Sequence, residues 1–445
     1  MSLPASSNPA SASPASRGIA EAAWHALFWL VAANAIGVLL AALLLVPALN
    51  RFLGEWTYGR WMMVHMNLEL YGWTSLPLVG FLFHVYGVPR GSFAKWQQPV
   101  LWAWSTGLAA GCLSWLQGHS SGKLFLDWSG YSRVLFPVAL IALWLVLLGA
   151  WIGRPPTPGA GAKAAWLAQL AGLLILLAVP FVIYLASGPG SYPPVNPDTG
   201  GPTGASQLES SLAIVLVLLM LPFGIARRNA GHGKAILLAW MVLGAETILC
   251  AALGRGDISH HRPAQYLSLG SLLVWLPLTP AYYKAFAWHE NTRRWRLSFL
   301  CWWAVLVVSG WVVSLPGVLD RLKFTDGLVG HSFVAMAGFT SSLIIFVLVQ
   351  MLGKDGWIFN RARSFHFWNW SAAAYVVVVT IAGWQEGSDP AFTIVPGIAR
   401  DTLYILRLLT GVLMLIASLD WLVDTAALLR RRVPLEDILL QEKTA

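Results

Sequence analysis

Apolar stretches long enough to cross a bilayer recur along the whole chain, separated by short polar or Gly/Pro-rich connections. They fall at about 22–48, 61–88, 97–117, 131–153, 164–186, 207–226, 234–254, 263–285, 296–316, 328–353, 367–386 and 399–428. A transmembrane helix needs about 20 predominantly apolar residues. The pattern therefore predicts an all-α, polytopic membrane protein with twelve transmembrane helices over residues 21–429. Residues 1–20 are rich in Ser, Pro and Ala, carry one charge at Arg17, and read as a disordered cytoplasmic tail. Residues 430–445 read as a second cytoplasmic tail. The first apolar run is too long for the h-region of a cleaved signal. No internal repeat is evident in the order of the residues.

Composition agrees with this class. Of the 445 residues, 57% are hydrophobic and 11% charged, with a mean hydropathy of +0.63, which a soluble core does not need. Cys112, Cys250 and Cys301 all lie in apolar segments and form no CxxC, so neither a disulfide framework nor a zinc site is indicated. The net charge of +9 is set by topology, not by a nucleic-acid partner. Nineteen of the 29 Lys and Arg residues fall on one side of the alternating connections and nine on the other, with Arg407 inside the last span. The positive-inside rule then places both termini in the cytoplasm. Many of the 25 Trp residues sit near span ends, as an interfacial belt requires. The longest outer connection, Ser187 to Ser206, has no Lys or Arg.

Four of the ten histidines, His65, His260, His261 and His331, fall at or within about two helical turns of the outer ends of their spans. Imidazoles from three separated parts of the chain at one depth point to a shared site beneath the outer surface. The alternative is chance clustering at span ends, each ring bonding across a helix interface. His331 lies in Lys323–Phe339. There Asp326 is a candidate N-cap, and Gly330, Ser332, Ala335, Ala337 and Gly338 leave room beside the helix for something bulky. An imidazole in a membrane helix with cleared space beside it is a haem or metal ligand candidate. Glu69 follows His65 by four residues on the same helical face and is placed to orient it or to carry protons. Glu246 is a second intramembrane acid. Glu209 and Glu386 stand at span ends, where carboxylates are usually just wet. The pair His260-His261, flanked by Arg255, Asp257, Arg262 and Pro263, also reads as an outer loop leading into a proline-started helix.

The run Thr325-Asp326-Gly327-Leu328-Val329-Gly330-His331, His65 five residues after Arg60, the pair His260-His261 and the twelve spans together resemble subunit I of the haem-copper oxidase superfamily, in its cytochrome-c-oxidase and nitric-oxide-reductase branches. The likeness covers most of the chain in topology and rests on short motifs. It implies His65 as the low-spin haem ligand, His331 as the high-spin haem ligand, and His260 with His261 as ligands of copper or non-haem iron. It also implies one or two b haems, Glu69 and Glu246 as proton-handling acids, and a c-type cytochrome or other electron-donor subunit docking on the outer face. The setting implied is a bacterial inner (plasma) membrane, with lipid as the other partner. Two departures stand out. Phe333 occupies the second position of the family's His-x-His, and phenylalanine cannot ligate iron. The sixth span, Gln207 to Ala226, has no histidine where the family places a third non-haem metal ligand. Three readings follow: a terminal oxidase or nitric oxide reductase subunit, a degenerate one-haem or haem-free homologue inside a larger electron-transfer complex, or a twelve-helix permease. Few intramembrane charges, and no pair of short broken spans, speak for the last.

Overall fold

The computed structural model describes residues 14–120, 123, 125–155, 160–191, 204–253 and 261–430, and within them the chain is almost wholly helical. The longer helices, in order, begin with α1 (Pro14–Leu45) and α2, which runs Tyr58–Asn67, a π-helical segment Leu68–Thr74, and Ser75–Val85. There follow α3 (Gln97–Leu116), α4 (Ser132–Ile152), α5 (Ala160–Ala186), α6 (Gly204–Ile225) and α7 (Gly233–Leu253). Next, α8 is assembled from Pro263–Ser271, Leu272–Val274 and Trp275–Lys284, and α9 is Arg293–Val313. Then α10 runs Asp326–Phe333, a second π-helical segment Val334–Thr340, and Ser341–Leu352. Finally come α11 (Ala362–Glu386) and α12 (Ile398–Arg430).

Nine of these, all but α2, α3 and α8, are long and apolar enough among the described residues to cross a membrane. The other three lie over the remaining predicted apolar runs. In hydrocarbon every backbone amide and carbonyl must be satisfied within the chain, which is why helices dominate. The protein is an all-α polytopic membrane protein. Helix α10 is the most enclosed, with 72% of its most apolar window buried, whereas α5 and α7 bury 17%. The segment of α10 past His331, residues 334–349, is thus central, and α5 and α7 are the least enclosed of the nine.

The first helix starts earlier than its apolar run. Pro14 opens it, a position where the missing proline amide costs nothing, and Ile19 and Ala20 are buried. The remainder of the expected tail, 1–13, lies outside the described residues, as do 431–445 and most of the Ser187–Ser206 connection. Connections alternate between two ends. At one end the α6–α7 and α8–α9 connections pair as a short antiparallel ribbon, β1 (Arg227–Arg228) with β2 (Phe286–Ala287). There too, Arg294 Nη1 donates to Asn360 O at 2.9 Å, tying the start of α9 to the α10–α11 connection. At the other end Arg400 Nη2 donates to Leu44 O at 3.0 Å, joining the start of α12 to the end of α1.

Candidate functional site

His65 lies in the first segment of α2, three residues before its π segment, and is half-buried. Its Nδ1 is 2.8 Å from the carbonyl oxygen of Ala33 in α1. A carbonyl only accepts, so Nδ1 carries the proton and Nε2 keeps its lone pair in the neutral ring. The imidazole lies over Gly37, where a methyl group would come within 3.0 Å of Cε1 and 3.7 Å of Nε2.

His331 lies in the first segment of α10, again three residues before a π segment. Its Nδ1 is 3.2 Å from Ser309 Oγ in α9, and that hydroxyl reaches Leu306 O at 3.3 Å. The single hydroxyl proton can serve Leu306 O or His331 Nδ1, so this contact fixes the position of the ring against α9 and not its tautomer. The ring lies over Gly310, where a methyl would come within 3.2 Å of Cε1 and 3.6 Å of Nε2. Among the described residues neither Nε2 has a hydrogen-bond partner, and no hydrogen bond or ring contact joins the two histidines. One imidazole belongs to the α1–α2 interface and the other to the α9–α10 interface.

Several sequence expectations are changed by packing. The space beside Gly330 and Gly338 of α10 is filled by protein, whereas Ser332 is exposed. A methyl on Gly330 would lie 2.7 Å from Thr380 Oγ1 of α11, and Gly338 faces the indole of Trp302. The cap of α10 is Thr325, whose hydroxyl accepts from Gly327 N at 3.1 Å. Asp326 instead accepts from Arg407 Nη1 of α12 at 2.8 Å, with both side chains largely enclosed. Glu386 is more than a wet span end, because its Oε2 accepts from Asp326 N at 2.7 Å. Beneath the guanidinium, 5.5 Å away, is the ring of Tyr375. Phe333, at the position of the missing second histidine, stacks on Tyr375 with centroids 3.9 Å apart and planes at 20°. This polar group was legible only as a lone arginine inside an apolar span, the kind of residue that marks a buried partner. The partner itself could not be read.

The remaining candidates are elsewhere. Glu69 sits half-buried in the π segment of α2, and its carboxyl makes no hydrogen bond or ion pair among the described residues. It does not orient His65, because Ala33 does. Glu246 is buried in α7 and accepts from Trp275 Nε1 of α8 at 2.6 Å, fastening two helices that carry neither His65 nor His331. Trp275→Phe removes that donor and is expected to lower stability by about 1–3 kcal/mol. Thermal unfolding in detergent checks this, and Glu246→Leu combined with Trp275→Phe should recover part of the loss. His260 lies outside the described residues. His261 is exposed, with Nε2 3.2 Å from Asp320. Among the described residues no group of three His, Cys, Asp or Glu side chains is placed to hold a metal.

The fold is that of a helical membrane protein in which two half-buried imidazoles are each anchored through Nδ1 to a neighbouring helix. No family model matches the sequence. Over 396 residues, 81% of this chain and 73% of the relative, it is 21% identical to cytochrome c oxidase subunit 1 of Rhodobacter capsulatus.

Proposed function

We propose that this chain is an oxidase-subunit-1-like haem protein that moves electrons within a respiratory membrane complex, with His65 and His331 as its axial ligands. The observation that carries this reading is the shared anchoring of the two rings, each held through Nδ1 by a neighbouring helix with no hydrogen-bond partner at Nε2 among the described residues. A ligating histidine commonly donates its other ring N–H to a carbonyl, carboxylate or similar acceptor, which fixes the tautomer and the ring plane. The donor set fits single-imidazole ligation at each position. It does not fit a bis-histidine haem through the expected second position, where Phe333 is engaged with Tyr375. It does not fit copper or non-haem iron either, because His261 is turned to Asp320 and the sixth span carries no histidine. The non-haem metal therefore has no part in this reading.

A bound haem b would supply one-electron redox chemistry. The protein would hold each imidazole through Nδ1 against a neighbouring helix, His65 on Ala33 O and His331 on Ser309 Oγ. All twelve helical passes cross a bacterial plasma membrane in this proposal, with both termini cytoplasmic and the histidine-bearing ends of α2 and α10 toward the outer face. A c-type cytochrome or another donor subunit would deliver electrons there. Reduction of O2 or NO by this chain itself is the second reading. It is favoured by Glu69, whose unpartnered carboxyl lies in the same helix as His65 and is available to move protons.

Purified full-length protein is expected to give a b-type reduced-minus-oxidised spectrum and a haem b pyridine haemochrome, with added copper not retained. Absence of haem after expression with adequate haem supply would overturn the proposal.

A further inference from the structure

At the end of the bundle where β1 and β2 pair, a groove of about 500 Å³ is lined by Arg228, Asn229, Gly233, Ile236, Leu237 and Trp240. The ribbon holds its polar part. Arg228 pairs with Phe286, Asn229 N donates to Ala285 O at 2.8 Å, and Asn229 Nδ2 donates to Lys284 O at 3.1 Å. The Arg228 guanidinium lies over the ring of Phe223, 5.2 Å from its centroid. These contacts fix the α6–α7 connection, and its cation with it.

The apolar part is one face of α7. Gly233, Ile236, Leu237 and Trp240 follow one another at i, i+3, i+4 and i+7, which sets them in a single stripe about 10 Å long. Leu237 is 61% exposed, and α7 is among the least enclosed of the membrane-crossing helices. The stripe therefore leads from the polar connection into the depth where acyl chains lie. Its head is roomy as well. A methyl group on Gly231 or Gly233 would meet no atom within 4 Å.

Charge decides the occupant. Arg227, Arg228, Lys234 and Lys284 are exposed at this end, and among the described residues none of them is in an ion pair with a carboxylate. A guanidinium beside an amide N–H suits the oxygens of a phosphate diester. A soluble anion would use that end alone, whereas an anion carrying a hydrocarbon chain uses the stripe too. Clustered cations at the cytoplasmic surface of a membrane protein also attract anionic lipid. We propose that the groove holds one phospholipid of net negative charge, its phosphate on Arg228 and Asn229 and an acyl chain along Ile236, Leu237 and Trp240. This site is independent of the haem reading, since it lies in α7 and the ribbon and touches neither His65 nor His331.

The test uses full-length protein, delipidated in detergent, with lipid retention counted by native mass spectrometry. Wild type should retain one dioleoyl phosphatidylglycerol per chain and bind it at least about five-fold more tightly than dioleoyl phosphatidylcholine, the factor one cation near an anionic headgroup supplies. Glycerol 1-phosphate, a headgroup without chains, should not displace it. Arg228→Gln should weaken phosphatidylglycerol about five-fold and leave phosphatidylcholine unchanged. Gly233→Leu, whose side chain enters the open head of the groove, should lose the retained lipid. Lys354→Gln removes an exposed cation from the α10–α11 connection at the same end and should behave as wild type. Equal retention of the two lipids, displacement by glycerol 1-phosphate, or a loss in Lys354→Gln as large as in Arg228→Gln would overturn the proposal. So would wild-type retention in Gly233→Leu. The two-lipid and displacement comparisons need no variant, so a misfolded substitution does not shelter the proposal.

Discussion

Replacing Arg407 with methionine is expected to destabilise the protein by about 3–5 kcal/mol, the cost of leaving a buried charge without its partner. The guanidinium lies inside α12 with its side chain 8% exposed, and Asp326 at the head of α10 is 15% exposed. Removing Arg407 strands that carboxylate beside Glu386, whose Oε2 already holds the Asp326 amide. It also takes the cation from above the Tyr375 ring, on which Phe333 is stacked. The double variant Asp326→Asn with Arg407→Met removes both charges and should recover most of the loss, since a buried ion pair and a neutral replacement are often close in energy. Thermal inactivation half-lives in one detergent and at one temperature check this, because unfolding of membrane proteins is judged more safely as a rate. Equal losses in the single and double variants would show that packing, not charge, holds the helices there.

Gly383→Val is expected to prevent accumulation of folded protein. Gly383 of α11 faces the backbone of Asp326 and Gly327 at the start of α10, so closely that a side-chain carbon would overlap the Gly327 amide and the Asp326 carbonyl carbon. Overpacking usually costs about 1–3 kcal/mol, and more where only backbone can move. Here no side chain can yield. Separating α10 from α11 would also break the Glu386 contact to Asp326 N. Gly244→Val in α7, with open space around it, is the matched control and should accumulate normally. Membrane-fraction yield and size-exclusion profiles decide. Wild-type behaviour of Gly383→Val would mean that the two helices do not meet at this glycine.

These two sites show how differently the chain speaks about its parts. Period and length of the apolar runs are local properties, so the helices and their boundaries were readable to within a few residues. The start of α1 was missed because Ser, Pro and Ala say little about burial, yet Ile19 and Ala20 are packed. The small residues of α10 were readable as a gap but not as a gap already closed by Trp302 and α11. A missing side chain reports only where space exists, and the occupant comes from another helix.

His65 and His331 stood out in the sequence because an imidazole in hydrocarbon demands a partner. Their anchors did not, since these are Ala33 and Ser309, which lie 32 and 22 residues away along the chain. Likewise Arg407 was visible as a misplaced charge, while its bond to Asp326 spans 81 residues. The sequence by itself determined a many-helix membrane protein and which polar residues the lipid would not tolerate unpaired. Tertiary structure alone decided what anchors each ring, what fills the space beside Gly330 and Gly338 and which charges meet, because each depends on atoms brought together by packing across helices rather than along one.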